Sequence, residues 1–303
     1  MAKLRETFKV GSMSKQVFAY IGFEMEQTDN SIVLSQRKYV GEINVQGLSP
    51  ERKLNKDAAL TKEEHSIYRK LVGQLNWVAR HTRPDVMFDV MELSMSLNNP
   101  CVRDYGRLVK TTKKLKYSDI GILFQDLGDF NTCYFVVMSD AAFGNLCDSV
   151  SSSAGYIIFL VGNEQKSVPL CWKANKIQRK VNSPSAAEAL ALRSAVDHAI
   201  LLRSLLKEML YTEKEFQIEA WTDSNNVKKA LESTTQVEDK RLRIDIAYLK
   251  DCIAVENISL NWCNGRDMLA DCLTKSGCSS DSLLHVISSG SLKGHIVTQG
   301  KSN

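Results

Sequence analysis

The chain has 303 residues, 44% hydrophobic and 24% charged, with a net charge of +4. That is enough apolar material for two domains with proper cores, and the mild basicity permits nucleic-acid binding without requiring it. No apolar run approaches the ~18 residues of a membrane-spanning helix, and Met1–Glu6 lacks a hydrophobic signal segment, so a soluble, unsecreted protein without membrane partners is expected.

Residues 17–40 read as two short strands, Val17–Phe23 and Ser31–Ser35, joined by the polar turn Gln27–Asn30. A helix is expected from Lys38 to Val45, then a polar connector from Gln46 to Asp57. From Thr61 the period becomes helical: Tyr68, Leu71, Val72, Leu75 and Val78 form one apolar stripe that stops at Arg80–Arg83. Pro84 and Pro100 each read as the first residue of a further helix, with Asn99 capping the second, so residues 61–117 are three helices. Strand patterns return at Cys133–Met138, Gly155–Val161 and Val168–Trp172. A basic loop leads to a long helix over Pro184–Leu210 with Ser183 as its cap. A strand (Phe216–Thr222), two helices (Asn226–Leu231 and Lys240–Val255) and a strand (Ile258–Trp262) follow. A short helix near Asp267–Lys275 comes last, with Asp267 as its cap, and beyond Gly277 the chain reads as a Ser/Gly-rich tail with one apolar patch at Leu283–Ile287. The order β-β-β-α-β-α-α-β-α over residues 130–276 is that of an RNase H-type domain.

Glu188 lies on the apolar stripe of the long helix, in line with Leu192, Ala195, Ala199 and Leu202. A carboxylate facing a packing surface must be paired or bound to a metal. Asp140 ends the first strand of this region, Asp223 ends the strand after the helix, and Asp271 falls at the start of the last short helix. Asp140 and Asp223 each have a turn or cap reading of comparable weight, Asp267 competes with Asp271, and strand alternation puts Asp223 in phase with Gln217 and Glu219, so that periodicity does not show it pointing inward. Jointly, neighbouring elements of one sheet each offer a carboxylate, the hard oxygen set that two Mg²⁺ ions roughly 4 Å apart require. Between Trp172 and Ser185, Lys173, Lys176, Arg179 and Lys180 alternate with Asn175, Gln178 and Asn182, which reads either as a solvated loop or as a phosphate-contact strip. Arg103, Arg107, Lys110, Lys113, Lys114 and Lys116 form a second basic stretch, on a helix, with the same two readings. The eight cysteines form no CxxC pair and no Cys/His zinc spacing, and several sit in apolar runs, so they read as buried free thiols of a reducing compartment. There is no G-x-S-x-G, phosphate-binding glycine loop or H-E-x-x-H to support another chemistry.

The segments Ser139–Gly144, Ser153–Tyr156, Trp172–Lys176, Ser185–Ala189, Asp223–Asn225 and Leu269–Lys275, in that order, resemble the RNase H domain of copia-type retrotransposon Pol polyproteins. Tyr20–Phe23, Ser35–Tyr39, Tyr68–Leu75 and Thr82–Asp85 resemble the late palm and thumb/connection of the same polyprotein's reverse transcriptase. The resemblance implies an α/β fold, an RNase H-like mixed five-stranded sheet with helices on both faces, preceded by a mainly helical thumb/connection region with a short β-hairpin. It divides the chain into a truncated palm end (1–50), a helical thumb/connection (51–128), an RNase H-like domain (129–277) and a C-terminal tail (278–303). The implied activity is Mg²⁺-dependent hydrolysis of the RNA strand of an RNA–DNA hybrid. Asp140, Glu188, Asp223 and Asp271 match the family's metal-binding carboxylates for two Mg²⁺ ions, with Mn²⁺ as a substitute. Lys173, Asn175, Lys176, Gln178, Arg179, Lys180, Ser185 and Asn225 are the implied substrate contacts. The implied partners are the hybrid and the rest of a Pol polyprotein, in the cytoplasm and virus-like particles, with the nucleus as an alternative. Three features depart from the family. Leu242-Arg243-Ile244-Asp245 replaces a common Lys-His-Ile-Asp run, no histidine stands near Cys263–Arg266, and the palm's paired aspartates are absent, so no polymerase activity is expected. The competing expectations are a DDE transposase, disfavoured by the order Asp, Glu, Asp, Asp, and a catalytically inactive relic or co-opted nucleic-acid-binding protein.

Overall fold

In the computed structural model, which describes residues 16–234 and 237–295, the chain opens as a meander of β1 (Val17–Tyr20), β2 (Phe23–Gln27) and β3 (Ser31–Ser35). Ile21 and Gly22 take positive φ values of 49° and 78°, a tight turn that splits the expected single strand Val17–Phe23 in two. The sheet has four strands rather than a short hairpin, because β4 (Ile122–Gln125) pairs antiparallel with β3. Residues 1–15, which include Met1–Glu6, and those beyond residue 295 lie outside the described residues.

The helix expected over Lys38–Val45 is the shorter α1 (Arg37–Glu42), and the connector, which reads as merely polar, contains a further short helix, α2 (Pro50–Leu54), capped by Ser49. In α3 (Lys62–His81) Thr61 and Glu64 form a capping box, and the stripe from Tyr68 to Val78 is buried as its period predicts. Pro84 opens a 3₁₀ turn that runs into α4 (Met87–Met95). The next helix, α5 (Val102–Tyr117), begins two residues after Pro100, and its box is closed by Cys101 and Asp104, not by Asn99. Arg83 joins these helices: its guanidinium makes two 2.8 Å bonds to the Asp85 carboxylate and 2.8 Å bonds to the carbonyls of Leu115 and Ser118. Both charges are buried, a state that requires this degree of pairing.

The second sheet is built from β5 (Tyr134–Ala142), β6 (Ser153–Val161), β7 (Ser167–Lys176), β8 (Ile218–Thr222) and β9 (Ile258–Trp262), in the order β7-β6-β5-β8-β9. The first three strands are antiparallel, and β8 and β9 add in parallel on the far side of β5. Between them run α6 (Pro184–Leu210), α7 (Asn225–Glu232) and α8 (Lys240–Val255). The fold is therefore RNase H-like, a mixed five-stranded sheet with helices on both faces.

Strand periodicity sorts the core into two halves. Phe135 and Val137 of β5, with Tyr156, Ile158 and Leu160 of β6, pack beneath α6 and α8. Their alternates, Val136, Met138, Ile157, Phe159 and Val161, share a core with Tyr68, Leu75 and Leu115 of the upstream helices. The Trp172 indole on β7 seals this junction, donating 2.8 Å to the Ala79 carbonyl. The supposed tail contributes as well: Asp281–Ser289 is a helix, α9, whose Leu283, Val286 and Ile287 are buried in the same core. Its Ser and Gly content masks a helix held by three apolar side chains.

A carboxylate cluster at the end of the central strand

Three acidic side chains from three elements converge at the C-terminal end of β5: Asp140, Glu188 and Asp223 each place a carboxylate oxygen within 4.8 Å of the others. Asp140 is buried near the end of β5, between β6 and β8. Glu188 lies in the second turn of α6, and the buried alanines Ala186, Ala187, Ala189 and Ala191 let that helix lie close on the sheet. Asp223 stands one residue beyond β8, where the chain turns toward α7, so the strand phase that set it with Glu219 no longer governs its direction.

Asp271, the fourth predicted ligand, is not among the three carboxylates within 4.8 Å of one another; it is linked to them through Lys275, and its charge acts on Asp140 and Asp223. Its segment is not a regular helix with Asp267 as cap. It is a pair of 3₁₀ turns, Gly265–Asp267 and Leu269–Leu273, the first capped by Asn264. The second turn presses on β6 at Gly155, the residue paired with Asp140, where a Cβ would lie 2.6 Å from Leu273 Cβ. Only glycine permits that approach. Thr274 then donates to the Asp140 carboxylate, and its own carbonyl accepts 2.8 Å bonds from Asn145 Nδ2 and Ser153 Oγ. Lys275 Nζ bridges Asp271 at 2.9 Å and Asp140 at 3.4 Å. Thr274, Lys275, Gly155 and Asn145 are site residues that the sequence reading did not single out. The one available signal was the placement of Thr274 and Lys275 at i+3 and i+4 from Asp271.

The electrostatics follow from this geometry. Burial, and then the neighbouring Asp140 and Asp223 charges, push Glu188 up to about 9, although the Ala141 amide donates to it. Its Oε2 atom is buried without a hydrogen-bond partner. Asp140 is pushed up to about 7, chiefly by burial, against the opposing pull of Lys275. Asp223 is raised by burial and then by Asp271. A partly desolvated group of carboxylates in which one oxygen lacks a donor is chemically suited to a hard divalent cation, which would supply the missing partner and reverse the repulsion. The donor set fits such an ion.

The basic strip is only partly a loop. Lys173, Asn175 and Lys176 belong to β7, paired with Tyr156, Ala154 and Ser153. Lys176 pairs with Asp148 at 3.2 Å, and Arg179 with the fully buried Asp245, which Arg193 also contacts at 3.1 Å. Gln178 and Lys180 are exposed in the following turn, and Asn225 is exposed at the start of α7. Ser185, half-buried, sits in the first turn of α6, one turn before Glu188. On α5, Arg103 pairs with Asp57, Arg107 with Glu92 and Lys114 with Asp89, so much of that basic face is neutralised within the chain.

No protein-family model matches the chain. It is 27% identical over 205 residues, 61% of its length, to the "Putative transposon Ty5-1 protein" of Saccharomyces cerevisiae, and covers 60% of that relative. Among solved structures it is similar to RNase H1 from the archaeon Halobacterium salinarum (TM-score 0.36, 17% identity, 46% of this chain and 94% of that one). It is also similar to a foamy viral protease-reverse transcriptase in complex with double-stranded DNA (TM-score 0.44, 13% identity, 82% of this chain and 38% of that one). At these scores the structural likenesses carry no weight of their own, and the fold rests on the strand order of the chain itself. The chain is similar to retrotransposon sequence, as the order of its motifs implies, and its sheet is of the RNase H type.

Proposed function

We propose that the chain hydrolyses the RNA strand of RNA–DNA hybrids at the Asp140–Glu188–Asp223–Asp271 cluster. One observation carries this reading: three carboxylates from a strand, a helix and a strand end meet within 4.8 Å, Asp140 buried and Glu188 and Asp223 half-buried. Folding does not favour such a cluster for its own sake, since each acid is desolvated beside like charges. Asp140, Glu188, Asp223 and Asp271 would hold the divalent ions, Mg²⁺ or Mn²⁺. Bound there, two such ions supply an activated water and neutralise charge on the leaving 3′ oxygen. The chain's own residues do the rest. Thr274 fixes the rotamer of Asp140, and the Ala141 amide orients Glu188. Lys173, Lys180 and Asn225 are the predicted positions best placed to meet phosphates. Lys176 and Arg179 are held in ion pairs and shape the strip from within.

In this reading residues 1–50 are a palm end and residues 51–128 a thumb/connection, with no polymerase activity expected, working beside the rest of a Pol polyprotein in the cytoplasm. The test is incubation of the purified chain with a labelled hybrid in Mg²⁺ or EDTA, beside Asp140→Asn. Hybrid binding with no Mg²⁺-dependent cleavage would replace nuclease with binding protein, and equal cleavage by the variant would remove the site assignment.

A further inference from the structure

Lys275 occupies the position in the cluster where a cation is most needed. Its ammonium lies between Asp271 Oδ1, at 2.9 Å, and the Asp140 carboxylate, at 3.4 Å. Among the described residues no other basic side chain is ion-paired with any of the four carboxylates. Its backbone is anchored, since the Lys275 amide donates 3.1 Å to the Asp271 carbonyl. The neighbouring Thr274 carbonyl is fixed by Asn145 and Ser153. The side chain itself is 41% exposed, so its flexible four-carbon stem can leave toward solvent while the backbone stays. The oxygens that it holds are those a divalent ion would have to take, and an ammonium cannot remain against them beside a doubly charged ion.

We infer that Lys275 is a built-in counter-ion: it holds Asp140 and Asp271 together in the metal-free protein and is displaced when a divalent cation binds, which weakens that binding. Lys275 is thus a positioning residue for the metal site. The inference rests on the reading of the cluster as a metal site, and the experiment separates the two.

The full chain, Lys275→Met and Lys275→Arg are titrated with Mg²⁺ alone, and then Mn²⁺ alone, by calorimetry, and are melted in EDTA and in saturating Mg²⁺. Lys275→Met is expected to bind Mg²⁺ about tenfold tighter, equivalent to about 1.4 kcal/mol of relieved repulsion. It is also expected to melt lower than wild type in EDTA, with most of that gap closed by Mg²⁺. Lys275→Arg, which keeps the charge, should match wild type in both measurements. A purely packing role would lower the melting temperature equally with and without Mg²⁺. Lys275→Gln serves as a second neutral variant if the methionine variant does not fold. Unchanged or weaker metal affinity in the neutral variants overturns the inference and leaves the metal site standing. Absence of Mg²⁺ and Mn²⁺ binding in wild type and neutral variants alike overturns both.

Discussion

Replacing Glu188 with Gln should stabilise the metal-free protein in alkaline solution while removing a metal ligand. An unfolded glutamate titrates near its ordinary value of 4.5, whereas Glu188 in the fold is pushed up to about 9 by burial and by Asp140 and Asp223. Its folded pKa is the higher one, so the folded state binds more protons, and its stability falls as pH rises from about 4.5 toward 9. At pH 8 the ceiling on that loss is about 1.4 kcal/mol for each of ~3.5 pH units, about 5 kcal/mol in all. The side chain is only partly buried and the cluster can relax, so about half of the ceiling is expected, ~2–3 kcal/mol. The amide is isosteric and uncharged, so it escapes the penalty. Urea melts in EDTA at pH 5, 7 and 8.5 measure the effect. The variant should come close to wild type near pH 5 and exceed it increasingly as pH rises toward 8.5, and saturating Mg²⁺ should restore wild type but not the variant. A difference that stays constant with pH, or a variant less stable than wild type at pH 8.5, would refute the electrostatic reasoning.

Mg²⁺ affinity should rise with pH from about 6 to 9, because the protons held by Asp140 and Glu188 must leave as the ion binds; a flat calorimetric profile would contradict this. Gly155→Ala should cost about 1–3 kcal/mol and move Asp271 out of the cluster, since the new methyl meets Leu273 at 2.6 Å; stability and Mg²⁺ affinity should fall together. Asp245→Asn should cost about 1–2 kcal/mol, the exposure of Arg179 and Arg193 limiting the loss, and should weaken hybrid binding by freeing the basic turn, as measured by fluorescence anisotropy.

Much of the five-stranded sheet was legible because its signals are local. The helix Lys240–Val255 and the strand Ile258–Trp262 have the bounds that periodicity and capping give them, and Ser183-Pro184 starts α6 as its chemistry requires. Glu188 was legible for the same reason: a charge on an apolar stripe is visible at helical spacing. What was missed depends on distant partners. The strand β4 is four residues long and exists because β3, some ninety residues earlier, offers an edge. The helix α9 hides in a Ser-rich segment whose few apolar residues gain by burial against the upstream core. Asp223 was a candidate that strand phase could not support, because the strand ends at Thr222 and its alternation does not fix where the next residue points. The basic strip read either as a solvated loop or as a phosphate contact, and neither reading foresaw that buried Asp245 claims Arg179, since no spacing in sequence predicts a partner 66 residues away. Lys275 belongs to the same class, since its importance depends on Asp140, brought to it across the Gly155 contact.

The most direct test of the central claim is strand-resolved cleavage by the purified chain of an RNA–DNA hybrid, a duplex RNA and a single-stranded RNA of one sequence. Cleavage of the hybrid's RNA strand alone, leaving 5′-phosphate and 3′-hydroxyl ends, requiring Mg²⁺ and lost in Asp140→Asn, is the predicted result. An intact hybrid under conditions where calorimetry shows Mg²⁺ bound, or cutting that Asp140→Asn retains, would contradict it.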